Sequence, residues 1–212
     1  MALVLGTNCG FVTVAPSADP NEASAQTIDT YAWAGRDVTD VTATKITEIG
    51  WWCDNATEAA DFEVGIYNHN SGDDEPSTLV GKSSPTAKGT TAGWKSASVD
   101  IEVSSNTTYW MAVQVDDTVT ATNLVINTNG PVTIKRNNGP LTELEDPFGT
   151  DVGASTANIG IYAVWEAGGT NTQINIGDTW KDVDSMKINI GDVWKDVVEV
   201  KQNIGDVWKT VF

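Results

Sequence analysis

The chain has 212 residues and a formal net charge of −17, from 29 acidic residues against 12 basic ones and a single histidine. An acidic surface of this size repels nucleic acid phosphates, which argues against a genome-binding role. No run of about twenty apolar residues occurs, so no helical membrane span is expected.

The start, Met1-Ala2-Leu3-Val4-Leu5-Gly6, is short and lacks a basic flank, so it does not read as a secretory signal. Cys9 and Cys53 are too few for a disulfide-dependent scaffold in a chain of this length, and buried thiols are expected if it folds in a cytoplasm. Residues 1–168 show almost no helical periodicity. Short runs rich in β-branched and aromatic residues alternate with Gly, Asn, Asp, Ser and Pro clusters, the pattern of a sandwich or barrel. Strands are predicted over 10–15, 25–34, 45–53, 61–67, 78–82, 94–103, 108–115, 123–127, 132–135 and 158–165. That is too many short strands for one flat sheet and suits two packed sheets. Phe62-Glu63-Val64-Gly65-Ile66-Tyr67 and Tyr109 to Val115 alternate cleanly, so each is expected to bury one face and leave the other partly wet.

Trp51 and Trp52 are adjacent and must point to opposite faces of a strand. One should enter the core. The other is expected on the outer face beside Tyr31 or Trp33, where a sugar ring could stack, so Trp51, Trp52, Tyr31 and Trp33 are the candidate glycan-binding residues. The competing reading gives the same side chains a structural place, under a loop or in a subunit interface.

Catalytic chemistry finds no foothold. His69 stands alone between Asn68 and Asn70 and is expected in an exposed turn, which supports neither a zinc site nor a Cys-His nucleophile. Carboxylates are so abundant that chance pairs are expected, and no glycine loop leads from strand to helix. Asp73-Asp74-Glu75 beside Asn68, Asn70 and Ser71 has an oxygen-rich composition suited to a structural calcium, but without EF-hand spacing a solvated turn is the simpler expectation. No catalytic residue, metal ligand or cofactor is therefore assigned. The segment 139–157, rich in Pro, Gly, Asp and Thr, is the longest irregular stretch, either a ligand-contacting loop or a disordered one. Residues 166–170 are the expected linker.

Beyond it, one phrase occurs three times. Ile174-Asn175-Ile176-Gly177-Asp178-Thr179-Trp180-Lys181 returns as Ile188 to Lys195 and again as Asn203 to Lys209, with glycines and tryptophans spaced 14 residues apart. Gly-Asp between two β-type runs suits a two-residue hairpin loop, and that register sets Ile176 against Thr179, Asn175 against Trp180 and Ile174 against Lys181. Units this small must bury apolar surface against neighbours or another chain. Ile176, Trp180, Ile190, Trp194, Ile204 and Trp208 are the expected assembly residues. The repeats hold 7 acidic and 5 basic residues, so the acidity belongs to the body of the chain.

The Gly-Asp-x-Trp-Lys repeats over 170–212 resemble those near the ends of tail-fibre and other virion proteins of tailed phages. The stretch from Ile46 to Trp52, with Phe62 to Tyr67, Gly93-Trp94 and Asn106 to Val113, resembles jelly-roll sandwich domains of surface proteins, many of them similar to carbohydrate-binding modules. The first resemblance implies a virion protein of tail-fibre, head-fibre or decoration type, the second an architecture more than a function. The expected whole is an all-β, non-enzymatic protein. It comprises a jelly-roll-like β-sandwich over 1–168 and three β-hairpin repeats over 169–212, on a virion or outside the cell. Its expected partners are further copies of itself, a trimer being one such homo-oligomer, and other virion proteins, with surface glycans as a further class; neither nucleic acid nor membrane is among them. The alternative is a carbohydrate-binding or adhesin module of a secreted or cell-surface protein.

Overall fold

Period-two patterning becomes strand throughout the computed structural model, and none of the described residues is helical. The structure describes residues 9–10, 24–28, 31–55, 59–116, 123–127, 133–137, 142–156, 158–167 and six four-residue strands between 173 and 210. For 9–10, 24–27, 54–55, 123–127, 151–152, 154–156, 158 and everything after 167 it describes backbone alone. The chain divides into two units, Met1–Ala167 and Gly168–Phe212.

In the first unit the strands are β1 (Cys9–Gly10), β2 (Ser24–Thr27), β3 (Trp33–Val38), β4 (Ala43–Asn55), β5 (Asp61–Asn70), β6 (Glu75–Lys82), β7 (Thr86–Ala87), β8 (Gly93–Glu102), β9 (Thr108–Val115), β10 (Asn123–Asn127), β11 (Thr133–Asn137), β12 (Asp151–Thr156), β13 (Asn158–Ile159) and β14 (Ile161–Ala167). They form two antiparallel sheets. The first runs β1-β14-β4-β10-β13, with β8 also on β4 and β2 on β10; the second runs β12-β11-β3-β9-β5-β6, with β7 on β5. Their inner faces share one core, in which Trp51 of β4 meets Phe62 of β5 edge to face at 5.7 Å. The protein is thus an all-β sandwich.

The spacing of buried residues on β4 looks wrong for a strand, since Ile46 and Ile49 are both buried yet three apart. A bulge explains it. Both neighbouring strands pass from Glu48 to Ile46 without pairing Thr47, so the extra residue resets the alternation and Ile49, Trp51 and Cys53 follow in phase.

Three predicted elements differ, one being the strand expected over 158–165, which is β13 on β10 followed by β14 on β4. The single strand expected over 25–34 is two, with β2 in the first sheet and β3 in the second. Residues 151–156, expected to be irregular, are the edge strand β12 on β11. Their Gly, Ala, Ser and Thr side chains offer no apolar alternation to read, and an edge strand needs little.

A larger difference concerns the outer face of the second sheet. Both faces of β9 are buried, including Trp110, Ala112 and Gln114, where a partly wet face was expected. Residues 142–149 form a strap that seals it. Leu144 and Phe148 make a second core with Ala34, Tyr67, Trp110 and Ala112, and Phe148 meets Tyr67 edge to face at 5.1 Å. Gly65 leaves the space, since a Cβ there would lie 3.0 Å from Leu144 Cδ1. Polar bonds fasten the edges: Leu144 N–H donates to the buried Glu63 carboxylate at 2.7 Å, Lys82 donates to the same oxygen at 3.0 Å, and Tyr67 O–H donates to Glu145 O at 2.6 Å. Phe148 N–H donates to Ser77 O at 3.1 Å, and Asn137 donates to Phe148 O. Burial, with Asp146, Glu145 and Glu63 nearby, pushes the Tyr67 phenol well above its ordinary range, so it stays a donor.

Asp37 on β3 is half-buried, and that burial raises its carboxyl pKa above the usual value although Val38 N–H donates to it at 2.7 Å. A folded value raised above the unfolded one gives a contribution that is present at low pH and lost as pH rises through the folded value. Asp37→Asn should therefore be more stable than the parent at about pH 7, with the gain shrinking below about pH 4, as read from urea midpoints at both.

The second unit contains three separate two-stranded ladders. β15 (Gln173–Ile176) pairs β16 (Thr179–Asp182), β17 (Lys187–Ile190) pairs β18 (Val193–Asp196), and β19 (Lys201–Ile204) pairs β20 (Val207–Thr210). The register repeats. Asn175 faces Trp180, Asn189 faces Trp194 and Asn203 faces Trp208, while Ile176, Ile190 and Ile204 face Thr179, Val193 and Val207. A two-residue connection fixes this pairing, as the spacing predicts.

Candidate functional site

The alternation along β4 sends Trp51 inward, where it is fully buried, and Trp52 outward. Trp51 therefore offers no surface to a ligand. Trp52 lies on the outer face of the first sheet, and its neighbours there are not Tyr31 and Trp33, which belong to the other sheet's side of the sandwich. Register instead puts Trp94 of β8 directly opposite Trp52, with ring centroids 5.6 Å apart. Trp94 in turn meets Tyr162 of β14 at 5.3 Å. Three adjacent strands thus bring an aromatic row to one face.

Two details hold the row in place. Tyr162 lies across Gly50, so its ring occupies the volume a side chain would fill, and its O–H donates to Glu48 Oε1 at 2.5 Å. The successive rings stand nearly perpendicular, at 77° and 71°, which is the edge-to-face preference of aromatic quadrupoles. Trp52 and Trp94 remain partly exposed beside the exposed Ser96 and Ser98 of β8. The Trp52 indole N–H is buried and meets no acceptor among the described residues. The face can offer apolar ring surface, hydroxyls and one carboxylate, a set that suits a sugar or a protein side chain. Gly50→Ala should displace Tyr162, break its bond to Glu48 and cost about 1–3 kcal/mol in urea unfolding.

Tyr31 and Trp33 meet edge to face at 6.4 Å, and the Arg136 guanidinium covers both, 4.7 Å from the Tyr31 centroid and 5.6 Å from that of Trp33. Trp33 is buried within the main core. Its place is structural, with the arginine spending the ring faces as cation–π partners.

The segment 139–157, proposed from sequence as a loop meeting ligand, supplies the strap and β12 over its described part. His69, expected in an exposed turn, ends β5 with its side chain largely covered, and its Nδ1 accepts from Trp110 Nε1–H at 3.1 Å. The acidic turn after it spends its carboxylates internally: Asp73 accepts from Asn70 at 2.8 Å, Asp74 pairs with Arg36, and Glu75 pairs with Lys135 at 3.3 Å. Among the described residues no three His, Cys, Asp or Glu side chains gather as a metal site. Cys53 is buried; the Cys9 side chain, and residues 168–170 of the expected linker, lie outside the described residues. The six expected assembly residues all fall within the ladder strands, with their side chains outside the description.

Trp94, Tyr162 and Arg136 were not singled out from sequence. The first two could have been found by parity, since each pairs at an outward position of β4, but that requires knowing which strands neighbour it. No protein-family model, curated protein or solved structure matches this chain.

Proposed function

We propose that the chain is a non-enzymatic structural protein of a virus particle, of tail-fibre, head-fibre or decoration type, that assembles through its C-terminal repeats and displays the acidic sandwich. The observation that carries this reading is the identical register of three ladders at a 14-residue spacing. A two-stranded ladder is marginal alone in water, and three copies of one ladder make three copies of one contact surface. The resemblance of Gly-Asp-x-Trp-Lys to virion repeats supplies the setting. Fusing residues 168–212 to an unrelated monomeric carrier tests it: the fusion should become a defined oligomer, and a fusion that stays monomeric at every concentration refutes the assembly role.

The aromatic row favours a second reading, a glycan-binding or adhesin module. In that reading Trp52 and Trp94 contact the sugar while Glu48 takes its hydroxyl hydrogen bonds. Quenching of tryptophan fluorescence by a soluble glycan, abolished in Trp94→Ala, is the result expected of it.

A further inference from the structure

The chain's single histidine sits where a proton would undo a buried hydrogen bond. Trp110 is fully buried in the second core, and its Nε1–H donates to His69 Nδ1 at 3.1 Å. An imidazole nitrogen accepts only while it carries no proton, so His69 keeps its one proton on Nε2. The Asp74 carboxylate, from the turn between β5 and β6, stands 4.0 Å from the same Nδ1. It is already paired with Arg36 of β3, whose guanidinium lies 5.9 Å from the Trp110 ring centroid. The remaining charges around the histidine are engaged elsewhere: Glu75 of β6 with Lys135 of β11, and Asp73 with Asn70.

We propose that His69 is an acid-operated switch on the outer face of the second sheet. A proton taken from solvent onto Nδ1 breaks the bond from Trp110 and makes Nδ1 a donor. The imidazolium turns to Asp74, which then bridges His69 and Arg36. Trp110, enclosed by the second core, then loses the acceptor that holds its indole N–H while His69 is neutral. Acid therefore loosens the floor on which Leu144 and Phe148 of the strap rest.

The test follows the indole resonances of the 15N-labelled full chain from about pH 8 to about pH 5, with Trp110 identified by Trp110→Phe. The Trp110 signal should shift, and its proton should exchange with solvent about tenfold faster or more at the acid end. In His69→Gln, whose amide oxygen accepts but does not titrate, the signal should stay put. In Asp74→Asn, which removes the receiving carboxylate, more acid should be needed for the same shift. The imidazole 15N signals of the unaltered protein give a reading independent of variants: Nδ1 should be the unprotonated nitrogen near neutral pH. A Trp110 signal that does not move with pH, one that moves equally in His69→Gln, or a proton found on Nδ1 near neutral pH overturns the proposal.

Discussion

Phe148→Ala should cost about 3–5 kcal/mol of unfolding free energy, because it removes a fully enclosed ring from a small second core that cannot collapse around the gap. Phe148 is 1% exposed and fills the space over Tyr67. With the ring gone, Leu144 alone holds the strap against β5 and β9, and the bonds at Glu63, Ser77 and Asn137 lose their hydrophobic cover. Phe148→Leu keeps most of the volume and should cost less than half as much. Urea unfolding of both variants measures the difference. A loss below about 1 kcal/mol for alanine would mean that the strap is not seated on the sheet in solution.

If the repeats assemble the chain as proposed, replacing Trp180, Trp194 and Trp208 together by alanine should convert the assembly to monomers without unfolding the sandwich. Aromatic anchors at an interface carry about 2 kcal/mol or more each, and three of them would weaken association more than about a thousandfold. The identical pairing of each tryptophan with an asparagine means that single replacements should resemble one another, whichever repeat is chosen. Unequal single effects would show that the repeats are not equivalent in the assembly. Light scattering reads the mass, and circular dichroism confirms that the sandwich persists.

Local rules made much of the sandwich legible. Alternation marked the strands around Phe62 and Tyr109, and Gly-Asp in a two-residue connection was enough to give the ladder register. The strap was hidden because Leu144 and Phe148 are isolated apolar residues in a polar stretch, and what they need lies far away: the carboxylate that receives Leu144 N–H is Glu63, 81 positions earlier. His69 misled for a related reason. Its asparagine neighbours describe a turn, whereas its partner, Trp110, stands on the adjacent strand β9, 41 positions further along the chain. Trp51 and Trp52 were correctly split between opposite faces by parity, but which aromatics would join Trp52 depended on sheet order, and Trp94 and Tyr162 took the place expected for Tyr31 and Trp33.

The role of the repeats is tested most directly by the solution mass of the full chain beside that of a chain ending at Ala167, both by light scattering over a range of concentrations. Assembly through the repeats requires the full chain to weigh a whole-number multiple, two or more, of the 22.6 kDa of a single copy, and the shortened chain to be a folded monomer. A full chain that stays monomeric at all concentrations, or a shortened chain that assembles equally well, would contradict it.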